Sequence, residues 1–124
     1  MDKDENVILT KTYNFELNII RLYKELVYYQ KEFDLSRQLL RSATSIGSNS
    51  EEAVGAQSRK DFSAKFSIAY KESRETKYWL RLLRDSQILK TDTANNLIKD
   101  CEEIQKIITS ILKTTKAFVI DKTN

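Results

Sequence analysis

The sequence predicts an all-α protein, an antiparallel up-down-up-down bundle of four helices. Its 124 residues include no Pro and only two Gly, so the residues that build the tight turns of a β-sandwich or barrel are missing. Apolar residues recur at steps of three and four almost throughout, which is the spacing of one helix face. The 40% of hydrophobic residues suffice for one core, and we expect residues 1–124 to form a single domain.

The first helix is expected over about residues 11–32. Its buried seam follows the three-four spacing and consists of Phe15, Ile19, Leu22, Leu26, Tyr29 and Phe33. A second apolar stripe lies beside this seam and consists of Tyr13, Ile20, Tyr23 and Val27. Asp34 follows the helix and is expected to cap the next one.

The second helix is expected over about residues 35–57. Its buried line is narrow and rich in small residues: Leu35, Leu39, Ala43, Ile46, Ser50 and Ala53. Gly47 and Gly55 each cost about 1 kcal/mol relative to Ala within a helix. We therefore expect the close approach of a neighbouring backbone, or a bend, at these glycines.

The third helix is expected over about residues 59–86 and the fourth over about residues 92–118. Ser58 and Asp61 resemble a capping box at the start of the third helix. The seam of the third helix is Phe62, Phe66, Ala69, Ser73, Thr76, Leu80 and Leu83. The seam of the fourth is Leu97, Cys101, Ile104, Ile108, Ile111 and Thr115. The single cysteine is thus expected to be a small buried hydrophobe.

Some large apolar residues exceed what a four-helix core needs. They form the second stripe of the first helix and one flank of the third: Tyr13, Ile20, Tyr23, Val27, Ile68, Trp79 and Leu82. We assign them to a subunit interface, because large exposed apolar patches mark contacts between chains. The alternative is an irregular bundle that covers these residues itself.

Basic residues concentrate on the third helix, although the net charge of the chain is only +3. Residues 59–86 hold eight basic and four acidic residues. One stripe, suited to a phosphate backbone, is formed by Arg74, Lys77, Arg81 and Arg84. Tyr70 continues it and is expected to add a stacking surface, and the further candidates are Arg59, Lys60, Arg37 and Arg41. The alternative is a solvated face on which Glu72 and Glu75 pair with the stripe.

Catalysis finds little support in the residues. The chain has no His, which excludes a His-dependent triad, a His-containing zinc site and a haem on a proximal His. Glu51, Glu52, Glu72 and Glu75 could gather around Mg²⁺, but the adjacent Glu51 and Glu52 diverge by about 100° on a helix. We expect no enzyme, no cofactor and no metal.

The polar, acidic start of the chain is unlike a secretory signal, and no apolar run reaches the length of a membrane span. Together with the single thiol, this predicts a cytoplasmic protein without a membrane partner.

Two segments have a residue pattern more distinctive than helix formation alone requires: RSATSIGSN at residues 41–49 and QSRKDF at residues 57–62. They resemble the bacterial four-helix-bundle family of proteins encoded in intervening sequences of 23S rRNA genes. The resemblance implies a ring-shaped homo-oligomer, most often a pentamer, and offers no catalytic motif. A relative, the accessory variability protein of diversity-generating retroelements, looks like a basic pentameric barrel that binds nucleic acid and a reverse transcriptase. Asn49 and Glu52 match the family pattern and are expected to cross-link helices 2 and 3.

We therefore expect a non-enzymatic oligomeric module that binds structured RNA or other nucleic acid through charge and shape. The alternative function is an oligomeric scaffold or adaptor for a protein partner.

Overall fold

The computed structural model describes the backbone of residues 3–123 and the side chains of residues 3–115. The helices in this range are α1 (Lys3–Tyr28), α2 (Asp34–Val54), α3 (Arg59–Asp85) and α4 (Thr91–Thr123). Each helix packs against its neighbours in the ring order α1, α2, α3, α4, and within the described range no Cα atoms of diagonal helices come within 8 Å of each other. Short turns join the helices, so the predicted all-α four-helix bundle is confirmed. In the described part of the chain, no helix is both long enough and apolar enough to traverse a bilayer.

The seams predicted for α3 and α4 form the core. Phe66, Leu80 and Leu83 of α3 are fully buried, and so are Cys101 and Ile108 of α4. Phe62 begins the α3 seam half-buried, with its ring edge-on to Phe66 at a centroid separation of 4.9 Å. The three-four spacing was therefore sufficient to select the buried face of both helices.

Polar residues in the seams satisfy their hydrogen bonds inside the bundle. Thr12, Ser50 and Thr115 are buried, and each hydroxyl donates to the carbonyl four residues earlier at 2.8–2.9 Å. The Cys101 thiol donates to the Ser73 carbonyl of α3 at 3.2 Å. Burial raises the pKa of this thiol to about 12, so it remains protonated, as expected of a small buried hydrophobe. These three hydroxyls and the thiol thus avoid the free-energy cost of lost hydrogen bonds.

α1 starts earlier than expected, at Lys3. Ile8 and Thr12 extend its buried seam towards the N-terminus. The extension is not evident from the apolar pattern because Thr12 is polar. It can be buried because its hydroxyl donates a hydrogen bond within the helix. α4 likewise continues past the expected end, to Thr123, whereas α2 ends at Val54 with Gly55 as its C-cap.

α1 also ends earlier than expected, at Tyr28. Lys31 adopts a left-handed backbone conformation with φ 56°, and the Glu32 N–H bonds back to the Leu26 carbonyl at 3.0 Å. This turn closes the helix and reverses the chain. The prediction that Tyr29 and Phe33 continue the seam is therefore wrong, and their exposed fractions are 84% and 49%.

The cap of α2 differs from the expected one, whereas that of α3 does not. Asp34 is the first residue of α2, and the Glu32 carboxylate accepts hydrogen bonds from the N–H groups of Leu35 and Ser36 at 2.9 and 2.7 Å. At α3, the Ser58 hydroxyl oxygen accepts the Asp61 N–H at 3.1 Å, so the predicted cap is confirmed.

Gly47 makes room for a carboxyl group, not for the neighbouring backbone that its position suggested. A Cβ at Gly47 would lie 2.8 Å from Oε1 and 2.9 Å from Cδ of Glu16 on α1. The second oxygen of Glu16, Oε2, is buried and has no hydrogen-bond partner among the described residues. Burial, opposed by the Gly47 backbone and reinforced by the Glu51 charge, raises the pKa of Glu16 to about 8.

This carboxyl makes stability depend on pH. The pKa of Glu16 rises from 4.5 to about 8 on folding, so the folded state favours the protonated carboxyl. The contribution of this group to the free energy of unfolding is therefore fully present below pH 4.5 and is lost as pH rises through 8. Glu16→Gln should therefore be more stable than the parent at pH 9, by about 2 kcal/mol once partial solvent contact is allowed for, and similar to it at pH 4.5. Urea unfolding at both pH values measures the difference. Glu25→Gln, an exposed carboxylate on the same helix, is the control, and parallel pH curves for Glu16→Gln and the parent would contradict the prediction.

Candidate nucleic-acid interface

A groove runs between α3 and α4, and we call it the α3–α4 groove. It consists of two adjoining hollows of about 700 and 590 Å³, and both are bordered by Tyr70 and Gln105. α3 lines it with Arg74, Lys77 and Arg81, three members of the predicted basic stripe. α4 lines it with Gln105, Lys106, Thr109, Ser110 and Lys113. The stripe therefore lines one hollow, which we call the α3 bank, and the α4 residues line the other, which we call the α4 bank; the two hollows share Tyr70 and Gln105.

Internal ion pairs leave the groove positive. Glu102 at its edge pairs with Lys77, with 2.8 Å between Oε2 and Nζ. Glu75, the other acidic residue of the lining, is bound from α2 by Arg41. The four remaining charges of the lining form no salt bridge within the described residues, and all four are basic: Arg74, Arg81, Lys106 and Lys113. The groove is thus suited to a polyanion.

The other predicted contact residues are not among those that line this groove. Arg84 donates to Asp85 at 2.8 Å and to Asn95 at 2.9 Å. Arg59 and Lys60 are in the first turn of α3, and Arg37 and Arg41 are on α2. The structure therefore brings together three of the eight residues that the sequence suggested.

Sequence reasoning missed the α4 bank. Gln105, Thr109 and Lys113 recur every four residues, and so do Lys106 and Ser110, so they form the polar side of α4. Among many polar helix faces this spacing is ordinary. It becomes informative only when α4 is known to pack against the basic side of α3.

Glu72 and Glu75 bind Arg41 of α2 instead of the basic stripe on their own helix. Arg41 Nη1 lies 3.5 Å from Glu72 Oε2, and Nη2 bonds to Glu75 Oε1. Glu75 Oε1 also accepts the Trp79 indole N–H at 3.2 Å. The interpretation that the two glutamates neutralise the stripe is therefore wrong, and the three charges instead join α2 to α3.

The expected cross-link by Asn49 and Glu52 forms only in part. Glu52 Oε2 lies 3.1 Å from Lys65 Nζ of α3, so this residue does join the two helices. The Asn49 amide donates to Ser45 at 2.9 Å within α2, and its part of the expectation is wrong. In the described part of the chain, no three His, Cys, Asp or Glu residues are arranged to hold a metal ion.

The residues assigned to a subunit interface border α2 on both sides. Glu16, which lies between Tyr13 and Ile20 on that flank of α1, contacts Gly47 of α2. Glu75, one turn before Trp79 on α3, contacts Arg41 of α2. Tyr13, Ile68 and Leu82 are exposed, and the other four members are half-buried: Ile20, Tyr23, Val27 and Trp79. We call these seven residues the α2-side apolar face.

Comparison with known proteins identifies a matching sequence family and a similar solved structure. The sequence model of the 23S rRNA-intervening sequence protein family matches residues 4–110. A similar solved structure is that of a protein of unknown function from the S23 ribosomal protein family of Bacteroides thetaiotaomicron, at 1.70 Å resolution. It is 46% identical, with a TM-score of 0.87 over 89% of this chain and 98% of that chain. No curated protein matches the chain.

The Arg41 contacts predict a loss of stability. Arg41→Gln should lower the free energy of unfolding by about 1–2 kcal/mol, between the values for exposed and buried pairs, because the Glu72 side chain is only 15% exposed and would lose its counter-charge. Arg37→Gln removes the same charge from an exposed position on the same helix and should change stability by less than about 0.5 kcal/mol. Urea unfolding compares the stability of the two variants. Equal losses of stability would show that the contacts of Arg41 with Glu72 and Glu75 do not stabilise the packing of α2 on α3.

Proposed function

The chain belongs to the 23S rRNA-intervening sequence protein family, and we propose that it is a non-enzymatic, self-associating module that binds structured RNA or other nucleic acid in the α3–α4 groove. The observation that carries the proposal is the set of four basic residues in the groove that form no salt bridge within the described residues. Phosphates would supply the salt-bridge partners that these four side chains lack within the described residues. The absence of a base-reading motif favours recognition of charge and shape.

Self-association multiplies this groove. The α2-side apolar face borders α2, whereas the basic residues of the groove lie on the flank of α3 that faces α4, so one surface can be covered while these residues stay open. Several linked grooves bind one long polyanion far more tightly than one groove does. We propose a homo-oligomer for this reason, and the family resemblance favours a pentamer. The cytoplasm is the proposed location.

The decisive experiment is the binding of a labelled structured RNA across a salt series. If one groove neutralises up to four phosphates, log K should fall with log[salt] with a slope of about −3 per engaged groove. Arg74→Glu combined with Arg81→Glu should weaken binding at least about tenfold and make the slope shallower by about 1.4.

The matched control combines Arg37→Glu with Lys60→Glu, which changes the net charge equally but lies outside the groove. It should keep most of the affinity. Equal losses in the two double variants would move the contact away from the groove, and no binding by the parent at about 50 mM salt would refute nucleic-acid binding.

Self-association has its own test. Tyr13→Lys combined with Ile68→Lys places two charges on the exposed part of the α2-side apolar face. Light scattering should show a smaller particle, because charges are strongly disfavoured at the centre of an interface. Lys24→Glu, at an exposed polar position of α1, should leave the mass unchanged. A monomeric parent would refute the oligomer.

The alternative function is a scaffold for a protein partner. Tyr28 and Tyr29, with exposed fractions of 66% and 84%, and the half-exposed Phe33 gather at the turn after α1 and lie outside the groove. Exposed aromatic residues of this kind mark interaction surfaces. An oligomer that binds no RNA in the salt series would favour this function.

A further inference from the structure

The α3–α4 groove has an aromatic residue, Tyr70, at the junction of its two banks. Tyr70 borders both hollows, so its ring lies where they join. It is half-buried and packs against the hydrophobic core, which restricts its side chain before any ligand arrives. An aromatic ring that is already restricted in this way offers a stacking surface at a lower cost in conformational entropy.

The two banks carry matching chemistry. Arg74 and Arg81 stand on α3, and Lys106 and Lys113 stand on α4, so cations that form no salt bridge among the described residues flank Tyr70 on both helices. Between them, the Gln105 side chain borders both hollows and offers donors and an acceptor to a base edge or a 2′-hydroxyl.

The aromatic ring decides which form of nucleic acid can use the whole site. A duplex keeps its bases stacked inside and presents its phosphates outside, so it could contact the basic residues but has no free base face to stack on Tyr70. An unpaired nucleotide can turn its base onto the ring while its phosphates reach the banks.

We propose, resting on the function proposed above, that the groove binds an unpaired RNA segment, such as the loop of a structured RNA, with one base stacked on Tyr70. The phosphates on either side of this base contact Arg74 on one bank and the α4 lysines on the other.

The test compares an unpaired RNA of about twelve nucleotides with the same sequence annealed to its complement, at one salt concentration. Tyr70→Leu keeps an apolar side chain against the core but removes the ring. Its affinity for the unpaired RNA should fall about 5- to 150-fold, the loss equivalent to one stacked base, while duplex affinity and the salt slope stay unchanged. Tyr70→Phe keeps the ring and should bind like the parent.

Lys106→Glu combined with Lys113→Glu tests the α4 bank without touching the core, since both residues are exposed. It should weaken binding of the unpaired RNA and make the salt slope shallower by about 1.4, whereas Lys99→Glu, exposed on α4 outside the groove, should not. This pair decides the question if Tyr70→Leu fails to fold, as judged by circular dichroism.

The outcomes separate this inference from the proposed function. If the parent binds RNA with a steep salt slope but Tyr70→Leu and the α4 double variant bind equally well, the groove inference is overturned and nucleic-acid binding stands. Equal affinity of the parent for duplex and unpaired RNA would also overturn it. If the parent binds neither RNA, the proposed function fails as well.

Discussion

The structure depends on one geometric constraint, that each of four helices can turn only one seam towards a common core. Such a seam covers little more than 100° of the helix circumference, and here it is filled by residues such as Ile19, Leu39, Phe66 and Ile108. The two flanks of every helix are then left to meet a neighbour or the solvent. On α3 these flanks differ in character, because one carries Trp79 and Leu82 beside α2 and the other carries Arg74 and Arg81 beside α4. The division of surfaces in this protein therefore begins with the helical repeat.

Charge is distributed according to the same geometry. Acidic side chains near α2 are held by Arg41 and Lys65, so that side of α3 is cross-linked and close to neutral. On the α4 side, the Lys77–Glu102 pair joins the helices and the other basic residues of the groove remain without a salt bridge in the described part of the chain. A modest net charge of +3 thus conceals a locally positive groove. Net charge alone is a poor guide to such a surface.

The fold could be predicted from the sequence because the three-four spacing is a property of each helix by itself. Predictions failed where a distant or unusual contact decided the outcome. Tyr29 and Phe33 continue the apolar spacing of α1, but the helix ends at Tyr28, in a turn closed by the left-handed Lys31. The turn contains no glycine that would have predicted it from the sequence. The α4 bank of the groove was missed because its residues gain meaning only beside α3. The stripe itself was visible in the sequence. The partners of Lys77 and Arg84 on α4, which are the Glu102 carboxylate and the Asn95 amide oxygen, are identified only in the folded chain.

The buried thiol of Cys101 allows transient opening of the bundle between α3 and α4 to be measured by chemical modification. Only the thiolate reacts with alkylating reagents, and burial against the Ser73 carbonyl keeps this group protonated and out of reach. Modification at neutral pH therefore requires α4 to move away from α3, and its rate reports how often the bundle opens along that seam. A molecule that bridges both banks of the groove would hold the two helices together and slow the reaction. The cysteine that gives the core a small apolar side chain thus also provides a probe of how often the bundle opens locally beneath the groove.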